Sequence, residues 1–390
     1  MVSNSCGSLL RDFECILTMK DNFEFILSGQ MYKINGLNRE MNDQFLKLHE
    51  AYFSNTGFDF DVFKEVSLKF FDDKKGDYII QDKFFNNFTI IWQNFLAMQL
   101  FDRAEQLWND VLNIVYIWEN RNQDARIHKG TPYYFLGVTS ILHRDLDKGF
   151  SLMHQALEED KITHNTQAPK TPAYSFVILD YEEQSQFFRQ KVLEIARFME
   201  ARLDFYQLDG RGILNINNFK SKFLAQVSLQ ESVFYFVYTI FRLTKLIVET
   251  DQKLSQSVFS SLLQANMIFD LCLVVDATIK NKNPSQWKFR DHLLFLSSKA
   301  SLAFNKDKLN KINDDFINDF SNTLQKLLSS KYSFQDGTLP QLIERDLAIT
   351  YGFRNFGAHK IEDQPIIYKN FQPICQSILN SLFFSIEKLF

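Results

Sequence analysis

Turn-forming residues are scarce in this chain. Its 390 residues include 13 Gly and 7 Pro, together about 5%, against roughly 12% in ordinary proteins. Few turn residues allow few turns, so the chain covers its length with long elements, and helices meet that demand better than many short strands. The apolar pattern agrees. Phe101, Ala104, Leu107, Trp108, Val111, Leu112, Val115 and Trp118 recur at the i, i+3, i+4, i+7 spacing of one helix face. Comparable patterning predicts helices near 182–207, 227–250, 256–281, 288–303, 308–330, 339–357 and 366–389. Asp72-Asp-Lys-Lys-Gly-Asp77 and Asn281-Lys-Asn-Pro-Ser285 read as loops, and Ser28-Gly-Gln as a turn. The expected class is all-α, with no sheet larger than a minor hairpin.

Composition excludes several functions. Aromatics at 15%, with 41 Phe, rule out general disorder. A net charge of −4 rules out a polycationic carrier of duplex DNA, so any nucleic-acid contact must come from a local patch. Of the four cysteines, Cys6, Cys15, Cys272 and Cys375, none forms a CxxC pair, and the last two sit in apolar runs as buried thiols. Disulfides are not expected, which suits a reducing cytoplasm. Val233–Phe241 is a strongly apolar run, but it is short and ends at Arg242; a membrane span needs about 20 residues. A cytoplasmic protein without membrane contact is expected. Glycine-rich phosphate loops, HExxH, GxSxG and zinc-ligand spacings are missing from the sequence, so no cofactor and no metal is expected.

Two helical regions are distinguished, 1–210 and 211–390. In the first, the stretch 102–112 aligns with 147–157 at a shift of 45. Leu107 matches Leu152 and Leu112 matches Leu157, while Ala104 and Gly149 are the small residues where helices would approach closely. The stretch from about 84 to 160 thus resembles tetratricopeptide helix pairs, although their usual period is about 34. That resemblance implies a surface for a partner protein or a nucleotide signal.

The second region holds the chemistry-bearing motif, Arg354-Asn355-Phe356-Gly357-Ala358-His359. Arg followed directly by Asn, with His after four intervening residues and one terminal helix downstream, resembles the R-x4-H motif of HEPN domains (the higher eukaryotes and prokaryotes nucleotide-binding family). Residues 255–390 have the size of the HEPN helical bundle. The resemblance implies a metal-independent endoribonuclease in which Arg354, Asn355 and His359 are catalytic. It also implies a homodimer and the setting of a regulated bacterial defence or toxin effector. RNA carries its own nucleophile, the 2′-OH. An imidazole can shuttle its proton, and a planar guanidinium can steady charge on the phosphorane. In an ideal helix Arg354 and His359 point about 140° apart, so the helix must loosen at Gly357 or a second chain must complete the site. A plainer alternative is a non-catalytic bundle used for dimerisation, with His359 serving only as a helix-end residue.

Lys280, Lys282, Trp287, Lys288 and Arg290, with Lys360 near the motif, form a basic and aromatic set that suits single-stranded RNA. The competing reading, favoured on the sequence alone, is a solvated loop with Trp287 capping the core. Arg121 and His128 also fit the Arg–His spacing but lack Asn after Arg, and the 128–134 stretch reads as helix capping. His49, His143, His154, His164 and His292 are read as structural or exposed. The last helix carries Phe371, Leu379, Leu382, Phe383, Ile386 and Phe390, and this apolar face is expected to form the dimer.

Overall fold

The computed structural model describes residues 22–27, 30–164, 171–251, 258–356 and 365–390. The chain is mostly helical and divides into two compact units, 1–174 and 175–390. The helix at Gln186–Leu208 lies in the second unit, although it precedes the boundary expected at 210. Its Tyr206 hydroxyl donates to Glu387 on the last helix, 3.1 Å away, and Arg202 Nη1 donates to Gln376 Oε1 at 3.2 Å.

Among the described residues the first unit starts with two antiparallel strands, β1 (Asn22–Leu27) and β2 (Gln30–Asn35), in which Leu27 pairs with Gln30; Ser28 and Gly29 of the expected turn lie outside the described residues. Seven helices follow: α1 (Arg39–Ser54), α2 (Phe60–Asp73), α3 (Tyr78–Asn86), α4 (Thr89–Ala97), α5 (Phe101–Arg121), α6 (Gly130–Leu142) and α7 (Leu146–His164). Local chemistry sets where the first three begin. Asn38, Asp59 and Asp77 cap them by accepting from Met41, Val62 and Ile80 backbone N–H groups. The core is aromatic. Phe45, Phe63, Phe84 and Phe88 meet with ring centroids 5.0–6.3 Å apart, and Trp108 stacks on Phe135 at 5.1 Å. The expected close approach at Gly149 is present: a Cβ there would lie 2.9 Å from the Ile141 backbone nitrogen. This lets α7 lie tightly on α6.

α8 (Pro172–Val177) lies across the boundary of the two units. The second unit then continues with α9 (Gln186–Leu208), α10 (Ile216–Phe219), α11 (Gln230–Asp251), α12 (Val258–Lys282), α13 (Phe289–Ala300), α14 (Lys306–Asn318), α15 (Phe320–Leu328), a two-residue hairpin β3 (Ser333–Phe334) and β4 (Gly337–Thr338), α16 (Leu342–Phe356), α17 (Pro365–Lys369) and α18 (Phe371–Leu389). α12, α16 and α18 form the centre. Small polar residues let α16 and α18 touch, where Thr350 Oγ1 donates to Ser381 Oγ at 2.8 Å inside the core. Gly352 admits Phe316 of α14, whose ring carbons would lie 2.3–2.5 Å from a Cβ. Asp346 is fully buried and takes Arg211 Nε at 2.5 Å and Asn380 Nδ2 at 2.9 Å.

One correction concerns α18. Phe371, Leu379, Leu382, Phe383 and Ile386 are 0–2% exposed within the chain. These five fill the unit's own core and are closed to a second copy, while Phe390, the sixth residue expected on that face, is half-buried. Among the described residues, Ser261–Lys282 has the length and apolar character for a membrane span. It is the central helix of this unit, with Leu271, Cys272, Val274 and Val275 buried.

Candidate active site

α16 carries Arg354 and Asn355 in its last turn and is described as far as Phe356. Gly357 to Gln364, with His359 and Lys360, lie outside the described residues. Arg354 Nε donates to Asp276 Oδ2 on α12 at 3.1 Å. Its guanidinium lies over the Phe269 ring, 5.4 Å from the centroid. Phe269 and Asp276 are seven residues apart on α12, two turns along one face, so a single helix supplies both the counter-charge and the platform. Among the described residues, Nη1 and Nη2 have no hydrogen-bond partner, and the side chain is about one-quarter exposed. These two nitrogens form a planar fork of the kind that can grip a carboxylate or a phosphate at two points.

The other oxygen of Asp276 lies 2.6 Å from His292 Nδ1, and His292 Nε2 is 3.2 Å from the Gln286 carbonyl. His292 is 1% exposed and both ring nitrogens are engaged, so it holds α13 and its preceding loop rather than serving as a base. The contact reaches the second predicted patch, because Gln286 precedes Trp287. Arg354 and the basic loop, predicted as separate features, are thus linked through Asp276 and His292.

Trp287 is 83% exposed. The expectation that it caps the core fails, because the 283–288 loop is anchored by His292 and by Phe289, which is buried in its place. Lys280 Nζ lies 4.7 Å from the Trp287 ring centroid, and Lys282 Nζ lies 4.1 Å from that of Phe390. Lys288 is exposed, and Arg290 Nη1 reaches Asn310 Oδ1 at 3.4 Å.

Asn355 turns away from Arg354. Its Nδ2 donates to Asn313 Oδ1 of α14 at 3.1 Å. A cysteine nucleophile is excluded here. Burial pushes the Cys272 thiol well above its ordinary range, although the Arg354 charge works against that shift; a protonated, enclosed thiol does not attack.

The sequence reading missed Asp276; His292 was read there as structural or exposed, and it is buried with both ring nitrogens engaged. The signal was present: Asp270 and Asp276 are two carboxylates inside an otherwise apolar helix. A second polar cavity in this unit, of about 490 Å³, is lined by Arg202, Arg211, Arg345, Gln376 and Asn380. Arg211 pairs there with Asp209 and Asp346, and Arg345 with Asp346, so two carboxylates offset two of the three guanidinium charges. Comparison with protein-family models, characterised proteins and solved structures returns no match. The candidate site rests on its motif and its geometry.

Proposed function

We propose that the second unit is a metal-independent endoribonuclease of HEPN type, working as a homodimer, and that the helix pairs of the first unit bind a partner or signal. The observation that carries this reading is Arg354. Its guanidinium is oriented by Asp276 and Phe269, keeps both outer nitrogens, and is tied to an exposed loop where Lys280 and Trp287 offer a charge and a stacking face. The 2′-oxygen of RNA attacks phosphorus and the bond to the 5′-oxygen breaks. His359 takes the 2′-OH proton, and an imidazole, its own or the second copy's, returns one to the leaving oxygen. Arg354 steadies the phosphorane. The products are a 2′,3′-cyclic phosphate and a 5′-OH. The resemblance adds the setting of a bacterial defence or toxin effector acting in the cytoplasm.

The test is cleavage of mixed-sequence RNA in EDTA, with the 3′ ends assayed for cyclic phosphate. His359→Ala is expected to lower the rate about 10²–10⁴-fold, and Arg354→Lys to impair it strongly because the planar two-point grip is lost. Equal activity in the parent and His359→Ala, or strict dependence on added metal, would overturn the assignment. A second reading, a non-catalytic scaffold, is favoured by two contacts: Asp276 already balances Arg354, and Asn355 is committed to Asn313. It predicts RNA binding or dimerisation without cleavage, both in the full chain and with a cognate signal present.

A further inference from the structure

The first unit gathers a second set of titratable side chains that the nuclease reading does not use. Asp82 comes from α3, His128 from the segment before α6, and Asp160 and His164 from one face of the last turns of α7. One ligand atom each from Asp82, His128 and His164 all lie within 4.8 Å of one another. His128 Nε2 is 3.3 Å from Asp160 Oδ1 and 3.8 Å from Asp82 Oδ1. Tetrahedral bonds of about 2.0–2.1 Å place neighbouring ligand atoms about 3.4 Å apart. The His128–Asp160 pair already has that spacing, and Asp82 is wider by a few tenths of an ångström.

The charges around this cluster are unequal. Glu119 and Glu159 are matched by Lys129 and Arg126. Among the described residues no Lys or Arg pairs with Asp82 or Asp160. Asp160 and His128 are 5% and 2% exposed, and a buried carboxylate without a counter-charge is costly. The His128 ring is held from behind: Nδ1 lies 2.9 Å from Thr163 Oγ1, which Arg126 Nη2 also engages. With the proton assigned to Nδ1, the Nε2 lone pair points at both carboxylates, an arrangement that attracts a cation; Thr131 Oγ1 donates to the same Asp82 Oδ1 at 3.1 Å. Gly130 closes one side. A Cβ there would stand 2.3 Å from Asp160 Oδ1 and 2.7 Å from His128 Nε2. A side chain there would displace the two ligand groups.

We propose that Asp82, His128 and His164, with Asp160 beside His128, bind one divalent cation of the zinc class. Two imidazoles and two carboxylates give a neutral centre with such an ion. Imidazole nitrogen favours zinc or cobalt over the oxygen-seeking magnesium and calcium. The ion would join α3, the 122–129 segment and the end of α7. His164 is exposed, which leaves the ion exchangeable. The inference concerns the first unit and stands or falls independently of RNA cleavage.

The test uses the full chain, stripped with a chelator, dialysed, and titrated with zinc by calorimetry and with cobalt(II) by visible absorption. One ion per chain and the cobalt band of a tetrahedral nitrogen–oxygen site are expected. His164→Ala and Asp82→Asn are expected to weaken zinc binding at least tenfold while leaving circular dichroism in chelator unchanged. The two positions lie on different helices and neither is fully buried, so either variant decides if the other fails to fold. His143→Ala, a half-exposed histidine elsewhere in the unit, is expected to bind as the parent does. No stoichiometric binding by the parent at micromolar zinc, undiminished binding in both cluster variants, or an equal loss in His143→Ala would overturn the proposal.

Discussion

The two units each place a buried imidazole beside aspartate, and they balance charge in opposite ways. In the second unit Asp276 stands between a permanent cation, Arg354, and His292, whose other nitrogen meets the Gln286 carbonyl. Among the described residues that set is closed, and the outer nitrogens of Arg354 remain for a ligand. In the first unit His128 faces two carboxylates, and the nearby Lys129 and Arg126 are turned to Glu119 and Glu159. That set is open. Residue type alone does not separate structural from ligand-binding histidines. The sign of the charge left over does.

The sharpest way to break this comparison is Asp276→Ala. It strands a guanidinium and a buried imidazole together. We expect a loss of about 3 kcal/mol, the low end of the cost of breaking a buried ion pair, because Arg354 is partly exposed. Urea denaturation would measure it; a loss under about 1 kcal/mol would mean that the Asp276 set is not closed.

Trp287→Ala tests the link between that set and the exposed loop. Stacking of one base on an aromatic ring contributes about 1–3 kcal/mol. RNA affinity is expected to fall roughly tenfold, with thermal stability unchanged because the ring covers no core. Fluorescence anisotropy with labelled single-stranded RNA reads the effect. Unchanged affinity would remove the loop from the proposed RNA path.

The smallest effect carries the most telling sign. In chelator, Asp82→Asn removes one of two like charges facing His128. Stability of the first unit is expected to hold or rise by about 0.5 kcal/mol, the scale of a partly exposed charge pair. In the closed set the corresponding removal costs several times more. A loss above about 1 kcal/mol in chelator would show that the first unit's carboxylates are already compensated within the chain.

Much of the helical framework was legible in the sequence. The predicted 366–389 helix is found as α17 and α18, and the predicted 256–281 helix as Val258–Lys282. The 72–77 loop separates α2 from α3 as expected. Residues 308–330 form two helices rather than one, because Asp319 breaks the run with a non-helical backbone between α14 and α15. The site was legible only in part. Arg354 was found from its motif, but its orienting Asp276 is 78 residues upstream. The zinc-type cluster was invisible to spacing rules, because its ligands span three elements and only Asp160 and His164 are one turn apart.

What the sequence determined by itself was therefore periodic and local. Apolar residues every three or four positions and the rarity of Gly and Pro dictate helices, since backbone hydrogen bonding in a helix closes within four residues. Which helix face meets which was decided only in the tertiary structure. The Phe-rich face of α18 reads equally well as a dimer surface or as a core, and it became core because α12 and α16 cover it. Trp287 reads as a cap or as a platform, and it lies outside, 83% exposed, while Phe289 two residues on is buried. Burial and charge balance depend on residues far apart in the chain, and no periodicity within a single helix encodes them.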